Sequence, residues 1–528
     1  MNIPRIFKLC LPLTAFMVFS ACSQEHGAGE TTSADPVTAN KALTDAPIAT
    51  TPLGQLQGET LADKNILVFK GIHYGQSTAG DKRFLAPQAV TAWEGIKEAT
   101  QFGDSCPQGG DAGRITKTGE KLNISEDCLV LNVWTPALDN KARPVMVWLH
   151  GRGFYAGSGS EPLYDGANLA KRGDLVVVTI NHRLNIFGYL YLGDIGGEQF
   201  KNSGNAGVQD MELALEWVRD NIAAFGGDAN NVTIFGESGG GVKVSTLLGV
   251  PSTKGLFKRG IIQSGARPTG IPLTTAKRAT QTVLEKLNIT TAEELQAIPM
   301  ETLLGAVADP VRTVPNFGPV TDGGYLPRDM FVPDSAPSAV GVPVMVGSNR
   351  DEYALYERAN PNYGQMTDAE LEAALKPSLG EQYGKVIAAY AQSRDTTNPW
   401  DLYIAINSAR FHRGTNAVAA THSASGPTYL YSFDFAPTEK LGAAHGAEIP
   451  FVFSNATESD NARPGADKVE DAVSEAWIAF ARTGNPNHPG IPEWPTYNTE
   501  TRPGMVFDVE SRVVNDIRKL EREVWETE

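Results

Sequence analysis

A serine flanked by glycines, Gly236-Glu237-Ser238-Gly239-Gly240, carries the clearest chemical signal in this chain. The run before it, Val232-Thr233-Ile234-Phe235, is β-branched and aromatic, as a buried strand requires. Residues 242–248 continue as a helix. A strand, a sharp glycine-lined turn and a helix form the setting in which a serine hydroxyl is held out as a nucleophile. The glycines are needed because the serine backbone is strained and a neighbouring Cβ would clash.

A serine hydroxyl is a weak nucleophile at neutral pH. It needs an imidazole to take its proton and an acid to fix the imidazole tautomer. Of the eight histidines, His445 has the most suitable surroundings, Gly442-Ala443-Ala444-His445-Gly446-Ala447-Glu448. Its small neighbours let a loop approach a crowded site. The acid candidate is Glu352, which directly follows an apolar run ending near residue 347, and Asp351 is equally eligible by composition. Donors for an oxyanion are expected from a glycine turn after an early strand. Trp148-Leu149-His150-Gly151-Arg152-Gly153-Phe154 fits, with the N–H groups of Gly153 and Gly239 as donors and Arg152 beside them.

The elements that must position these groups alternate. Residues 145–149 and 175–180 are continuous apolar runs, the pattern of strands covered on both faces. Residues 257–264 and 342–347 read as further strands. Between them, residues 211–221 place Met211, Leu215 and Val218 on one helical face. This β–α alternation predicts an α/β protein with a large, mostly parallel twisted sheet flanked by helices. The proline-rich stretch 310–337 is read as a loop within one large domain, residues 47–528.

The chain has 528 residues and a net charge of −16, which argues against a nucleic-acid partner. No phosphate-binding loop or Cys/His metal spacing is present, so neither a metal nor a cofactor is expected. At the N-terminus, Arg5 and Lys8 precede an apolar run from Leu9 to Phe19 and then Ser20-Ala21-Cys22. This describes an export signal over residues 1–21, too short for a comfortable membrane span. Cys22 after small residues is similar to a lipidated lipoprotein cysteine, which would anchor the chain to a membrane without crossing it. By the same analogy Ser23 directs sorting to the periplasmic face of the bacterial outer membrane; an unlipidated chain would be periplasmic or secreted. Residues 22–46 read as a polar tether. Cys106 and Cys128 are the remaining pair of four cysteines, and in an exported chain they are expected to form a disulfide.

Several separated blocks, in order, resemble the type-B carboxylesterase and cholinesterase family of α/β-hydrolases. They are Arg83-Phe84, Ser125-Glu126-Asp127-Cys128, the His150 glycine turn, Asn181-His182-Arg183-Leu184, Gly204-Asn205-Ala206-Gly207, the Ser238 elbow, Asn349 to Glu352, the His445 loop, and Phe480-Ala481-Arg482-Thr483-Gly484-Asn485-Pro486. The resemblance covers residue 47 to the C-terminus. It implies a serine esterase with Ser238 as nucleophile, Glu352 as acid and His445 as base, and with Arg152, Gly153 and Gly239 at the oxyanion hole. Glu237 matches an acidic residue that tunes the site, Ser264 a supporting position, Cys106–Cys128 a disulfide loop, and Arg83–Glu126 a structural ion pair.

Three positions depart from the family. Arg152 replaces a glycine, and its guanidinium is expected either to enter the gorge and favour anionic acyl groups or to meet a loop acid. The loop between Cys106 and Cys128 contains no Trp, Tyr or Phe, which argues against choline esters. Tyr353 follows the acid where glycine is common and is expected to reshape the pocket beside His445. The implied partner is a small ester, bulky and anionic substrates included, acted on by a monomer or homodimer. A catalytically inactive, neuroligin-like adhesion module is the alternative, although such relatives typically lose a triad residue.

Overall fold

A computed structural model describes residues 46–110, 114–115, 119–308, 317–458 and 463–526. The expected export signal, Cys22 and the tether lie outside these residues, except for Ala46. So does the first part of the proline-rich stretch.

Eleven strands form the central sheet. In chain order they are β1 (Glu59–Leu61), β2 (Ile66–His73), β3 (Val130–Thr135), β4 (Arg143–Leu149), β5 (Val176–Ile180), β6 (Gly227–Glu237), β7 (Arg259–Gln263), β8 (Val344–Asn349), β9 (Thr428–Phe433), β10 (Pro503–Phe507) and β11 (Arg512–Asn515). Across the sheet the order is β11-β10-β9-β8-β7-β6-β4-β5-β3-β2-β1. The middle of the sheet, from β10 to β5, is parallel throughout. Both edges are antiparallel, so the mostly parallel expectation holds for the centre that carries the site.

The apolar runs are explained by burial on both sides. In β4, Val145, Val147 and Leu149 join one core, which also contains Met211, Leu215 and Val218 of helix α1 (Ala206–Asn221) and Leu247 of α2 (Gly239–Gly249). Met146 and Trp148 point the other way, into a core shared with Val473, Trp477 and Phe480 of α4 (Ala466–Thr483). Strand alternation thus divides one run between two helical layers. A long helix, α3 (Pro399–His422), packs against β8 and β9, with α5 (Lys519–Glu526) nearby. Among the described residues, no helix is long and apolar enough to cross a membrane.

Segment 317–343 contains only a two-residue strand, Val320–Thr321, in agreement with the loop expectation. Helix α1 starts at Ala206, five residues before the apolar period becomes visible, because its first turn is buried largely through Gly207, Gln209 and Asp210, which carry no apolar signal.

Candidate active site

Ser238 lies at the turn between β6 and α2, with φ 58° and ψ −120°. This left-handed backbone is strained for a residue with a Cβ. Two bonds hold it: Ser238 N donates to Gln263 O (2.9 Å), and Val242 N donates to Ser238 O (3.1 Å). Gly265 closes the back of the turn so tightly that an added Cβ would come within 1.9 Å of Ser238 O.

His445 lies on the loop after β9, and Glu352 on the turn after β8. His445 Nδ1 and Glu352 Oε2 are 2.5 Å apart, and the other carboxylate oxygen of Glu352 accepts from Asn349 N at 2.8 Å. Glu352 is fully buried. Its neighbour Asp351 instead faces Arg394 (3.3 Å) and accepts from Ala443 N, so geometry separates two acids that composition could not. His445 Nε2 has no hydrogen-bond partner. His445 and Ser238 line the same cavity of about 920 Å³.

Gly153, which lines the cavity, lies directly against Gly239. A Cβ on Gly239 would be 2.3 Å from Gly153 O. Arg152 and Gly153 both have positive φ, 63° and 61°, so Arg152 adopts the backbone of the glycine it replaces. Among the described residues, no acceptor takes the N–H of Arg152, Gly153 or Gly239. The Arg152 guanidinium grips Glu161 through two nitrogens, the shortest contact being 2.9 Å. Of the two expected orientations, the loop acid therefore takes the charge. That acid also lines the cavity.

Glu237 is buried between the glycine turn at residues 151–153 and the imidazole, with Oε1 3.2 Å from His445 Nε2. That pair is close but misaligned, so neither atom counts as hydrogen-bonded. Burial pushes the Glu237 carboxyl up to about 8 despite the nearby imidazole. Burial would by itself lower His445, but Glu237 and Glu352 outweigh it and raise the imidazole to about 9. Ser264, at φ 48°, supports β7 through Ser264 N to Gly347 O (2.9 Å), and its hydroxyl is buried without a partner.

Cys106 and Cys128 are joined as a disulfide, and Arg83 pairs with Glu126 beside it. Two residues past Cys106, Gln108 donates from Nε2 to Gly157 O (3.0 Å) and accepts from Gly157 N (2.9 Å). The disulfide loop is thereby fastened to the segment that follows the oxyanion turn.

Sequence reading did not single out several contributors. Phe411 of α3 and Tyr356 pack against the His445 ring at a tilt, with centroids 4.7 Å and 5.7 Å away. Tyr353, the departure noted in the sequence, sits one layer behind, against Tyr356. Arg410 lies over Tyr356 and Phe411. Glu448 accepts from Gln263 Nε2 (3.2 Å) and Asn349 Nδ2 (2.6 Å), linking the strand behind Ser238 to the one before Glu352. Lys243 of α2 is fully buried and donates to His150 O (2.7 Å), bracing the oxyanion turn from below. The visible signal for both Glu448 and Lys243 was a charged residue inside an otherwise small and apolar run.

Comparison with known proteins gives a consistent picture. The chain matches the carboxylesterase family over residues 45–525. It is 36% identical to para-nitrobenzyl esterase of Bacillus subtilis (strain 168), over 90% of this chain and 98% of that protein. It is 32% identical to phenmedipham hydrolase of Pseudarthrobacter oxydans, over 90% of this chain and 97% of that one. Among solved structures, the carboxylesterase Est55 of Geobacillus stearothermophilus at pH 6.2 superposes with a TM-score of 0.78 at 37% identity, covering 90% of this chain and 99% of that one.

Proposed function

The chain belongs to the carboxylesterase family and is a carboxylic-ester hydrolase with the α/β-hydrolase fold, and from that premise we propose that Ser238, His445 and Glu352 perform the hydrolysis. The observation that carries this reading is the His445 ring: Nδ1 is held by Glu352, Nε2 makes no hydrogen bond, and the residue lines the same cavity as Ser238. His445 takes the Ser238 proton as Oγ attacks the ester carbonyl. Hydrogen bonds of this kind are often loose in resting sites and close in the substrate complex. The N–H groups of Gly153, Gly239 and Arg152 receive the oxyanion, each contributing about 3 kcal/mol to the barrier reduction. His445 then protonates the departing alcohol, and water repeats the sequence on the acyl-enzyme. Glu352 remains ionised and stabilises the imidazolium.

The cavity, about 920 Å³, is at the upper end for small-molecule sites and suits a bulky ester. Arg152 is neutralised by Glu161, so an anion preference cannot rest on it. It rests on Arg358 and Arg463, which line the same cavity and, among the described residues, bond only to the backbone carbonyls of Leu355 and Ala436. We therefore include esters with a remote carboxylate in the substrate range.

Turnover of p-nitrophenyl butyrate should vanish in Ser238→Ala, and retained turnover removes the assignment. Failure of the wild type to label with a fluorophosphonate would favour the inactive adhesion module. Export and lipid anchoring at Cys22 are proposed from sequence alone. The intact mass of the mature chain should show a diacylglyceryl increment on an N-terminal Cys22, and a different N-terminus refutes it.

A further inference from the structure

The loop that carries His445 has open space on two sides. Leu441 and Gly442 line the ester cavity and also a second cavity of about 490 Å³. A segment with few packed neighbours opens locally at little cost, so bonds rather than packing must hold this one. His445 N reaches Glu352 O only at 3.3 Å, and Asn349 Nδ2 donates to Ala444 O at 2.7 Å.

The remaining anchor is Asp351, the acid that the hydrolysis does not use. Asp351 N donates to Ala443 O (2.9 Å), and its Oδ2 accepts from Ala443 N (3.3 Å). Both backbone groups of Ala443, two positions before His445, are therefore held by one residue. Gly442 has φ 63°, and a Cβ there would come within 2.7 Å of Asp351 Oδ2. Glycine at this point lets the carboxylate lie directly against the loop.

Asp351 is itself held from behind. Arg394 ends the helix Tyr383–Arg394 and donates from Nη1 to Asp351 Oδ1 (3.3 Å) and from Nη2 to Arg350 O (3.1 Å). Its Nε donates to Glu521 Oε1 (2.5 Å), on α5. The Arg394 and Glu521 side chains are buried. Helix α5 is fixed in turn by Val524, packed in a core with Val386 and Tyr390, and by Trp525 Nε1 donating to Tyr390 OH (3.0 Å). A buried ion pair adds little net stability, because desolvation offsets most of the attraction. What this one fixes is the place of a carboxylate on the catalytic loop.

We propose that Asp351 is a positioning residue for His445, kept in register by Arg394 and by Glu521 of the C-terminal helix. The proposal rests on His445 as the base. Asp351 acts through the backbone of Ala443 and does not line the ester cavity, so its loss should slow the chemistry and leave substrate binding alone.

The test measures p-nitrophenyl butyrate kinetics and the rate of fluorophosphonate labelling in Asp351→Ala, Glu521→Gln and His445→Ala. Asp351→Ala should lower kcat by about 10- to 100-fold with KM within about twofold, the range expected when a catalytic group shifts by a fraction of an ångström to an ångström. The labelling rate should fall in step, because it reads the attack of Ser238 without substrate binding or acyl-enzyme breakdown. Glu521→Gln, remote from substrate, should show the same split at about three- to tenfold. Near-ultraviolet circular dichroism identifies folded variants, and if Asp351→Ala does not fold, Glu521→Gln decides. A lower urea midpoint with wild-type kcat and labelling would mark a purely structural role and overturn the proposal, as would a change confined to KM. Wild-type labelling in His445→Ala would instead remove the base assignment beneath it.

Discussion

Replacing Glu237 with glutamine keeps the shape of the side chain but removes an ionisable oxygen 3.2 Å from His445 Nε2. At an effective dielectric of about 20, unit charges at that distance interact by about 5 kcal/mol, close to four pKa units. That value is a ceiling. The Glu237 carboxyl at about 8 is largely ionised where an imidazole raised to about 9 loses its proton, but neighbouring dipoles and water screen the pair, and the expected effect on the imidazole is about one to two units, within the span usual for one adjacent charge. The sign is fixed by the base role. His445, raised to about 9, must lose its proton before it can accept one from Ser238. In the wild type, kcat/KM should therefore climb on the alkaline side of neutrality. Removing Glu237 withdraws a charge that favours the imidazolium, so the rising limb moves to lower pH by about one to two units. The assay is kcat/KM for p-nitrophenyl butyrate from about pH 5 to pH 10, read at a wavelength where the product signal is pH-independent. A limb within about 0.3 unit of the wild type would show that this carboxyl does not govern the imidazole, and the reasoning fails.

Three further substitutions probe the supports of the site. Arg152→Gly leaves the buried Glu161 unpaired and should lower stability by about 2 kcal/mol in urea unfolding, outweighing the ease of glycine at positive φ. Adding Glu161→Gln should recover most of that loss, and a double variant no better than the single refutes the pairing. Gly239→Ala forces a methyl group to within 2.3 Å of Gly153 O; kcat should fall about 10²–10³-fold while near-ultraviolet circular dichroism stays native, and unaltered kcat would remove Gly239 from the oxyanion site. Cys106→Ser with Cys128→Ser opens a loop with a sequence separation of 22. It should cost about 3 kcal/mol, read as a lower urea midpoint, and an unchanged midpoint would count against a stabilising bond.

The serine elbow was legible in the sequence because its turn tolerates only small neighbours, and that restriction is written locally in the chain. The strands at β4 and β5 were legible because burial on both faces leaves no polar position to interrupt the run. The choice between Asp351 and Glu352 was not legible from composition, and only the family resemblance pointed to Glu352. Adjacent acids on one turn have the same composition, and only the backbone path decides which one faces His445. The partner of Arg152 was hidden for a related reason: Glu161 reaches it through a loop whose course no periodicity encodes. Phe411 and Tyr356 come to the imidazole from a helix and a turn distant in sequence, so their role exists only after packing. Lys243 reads as a surface helix position by charge, yet the carbonyl of His150 gives it a buried partner.

The exchange between Gln108 and Gly157 joins sulfur chemistry to ester chemistry. With the Cys106–Cys128 bond reduced, Gln108 would sit on a less constrained loop, and Gly157, four residues past Gly153, would lose an anchor that the sulfur bridge holds in place.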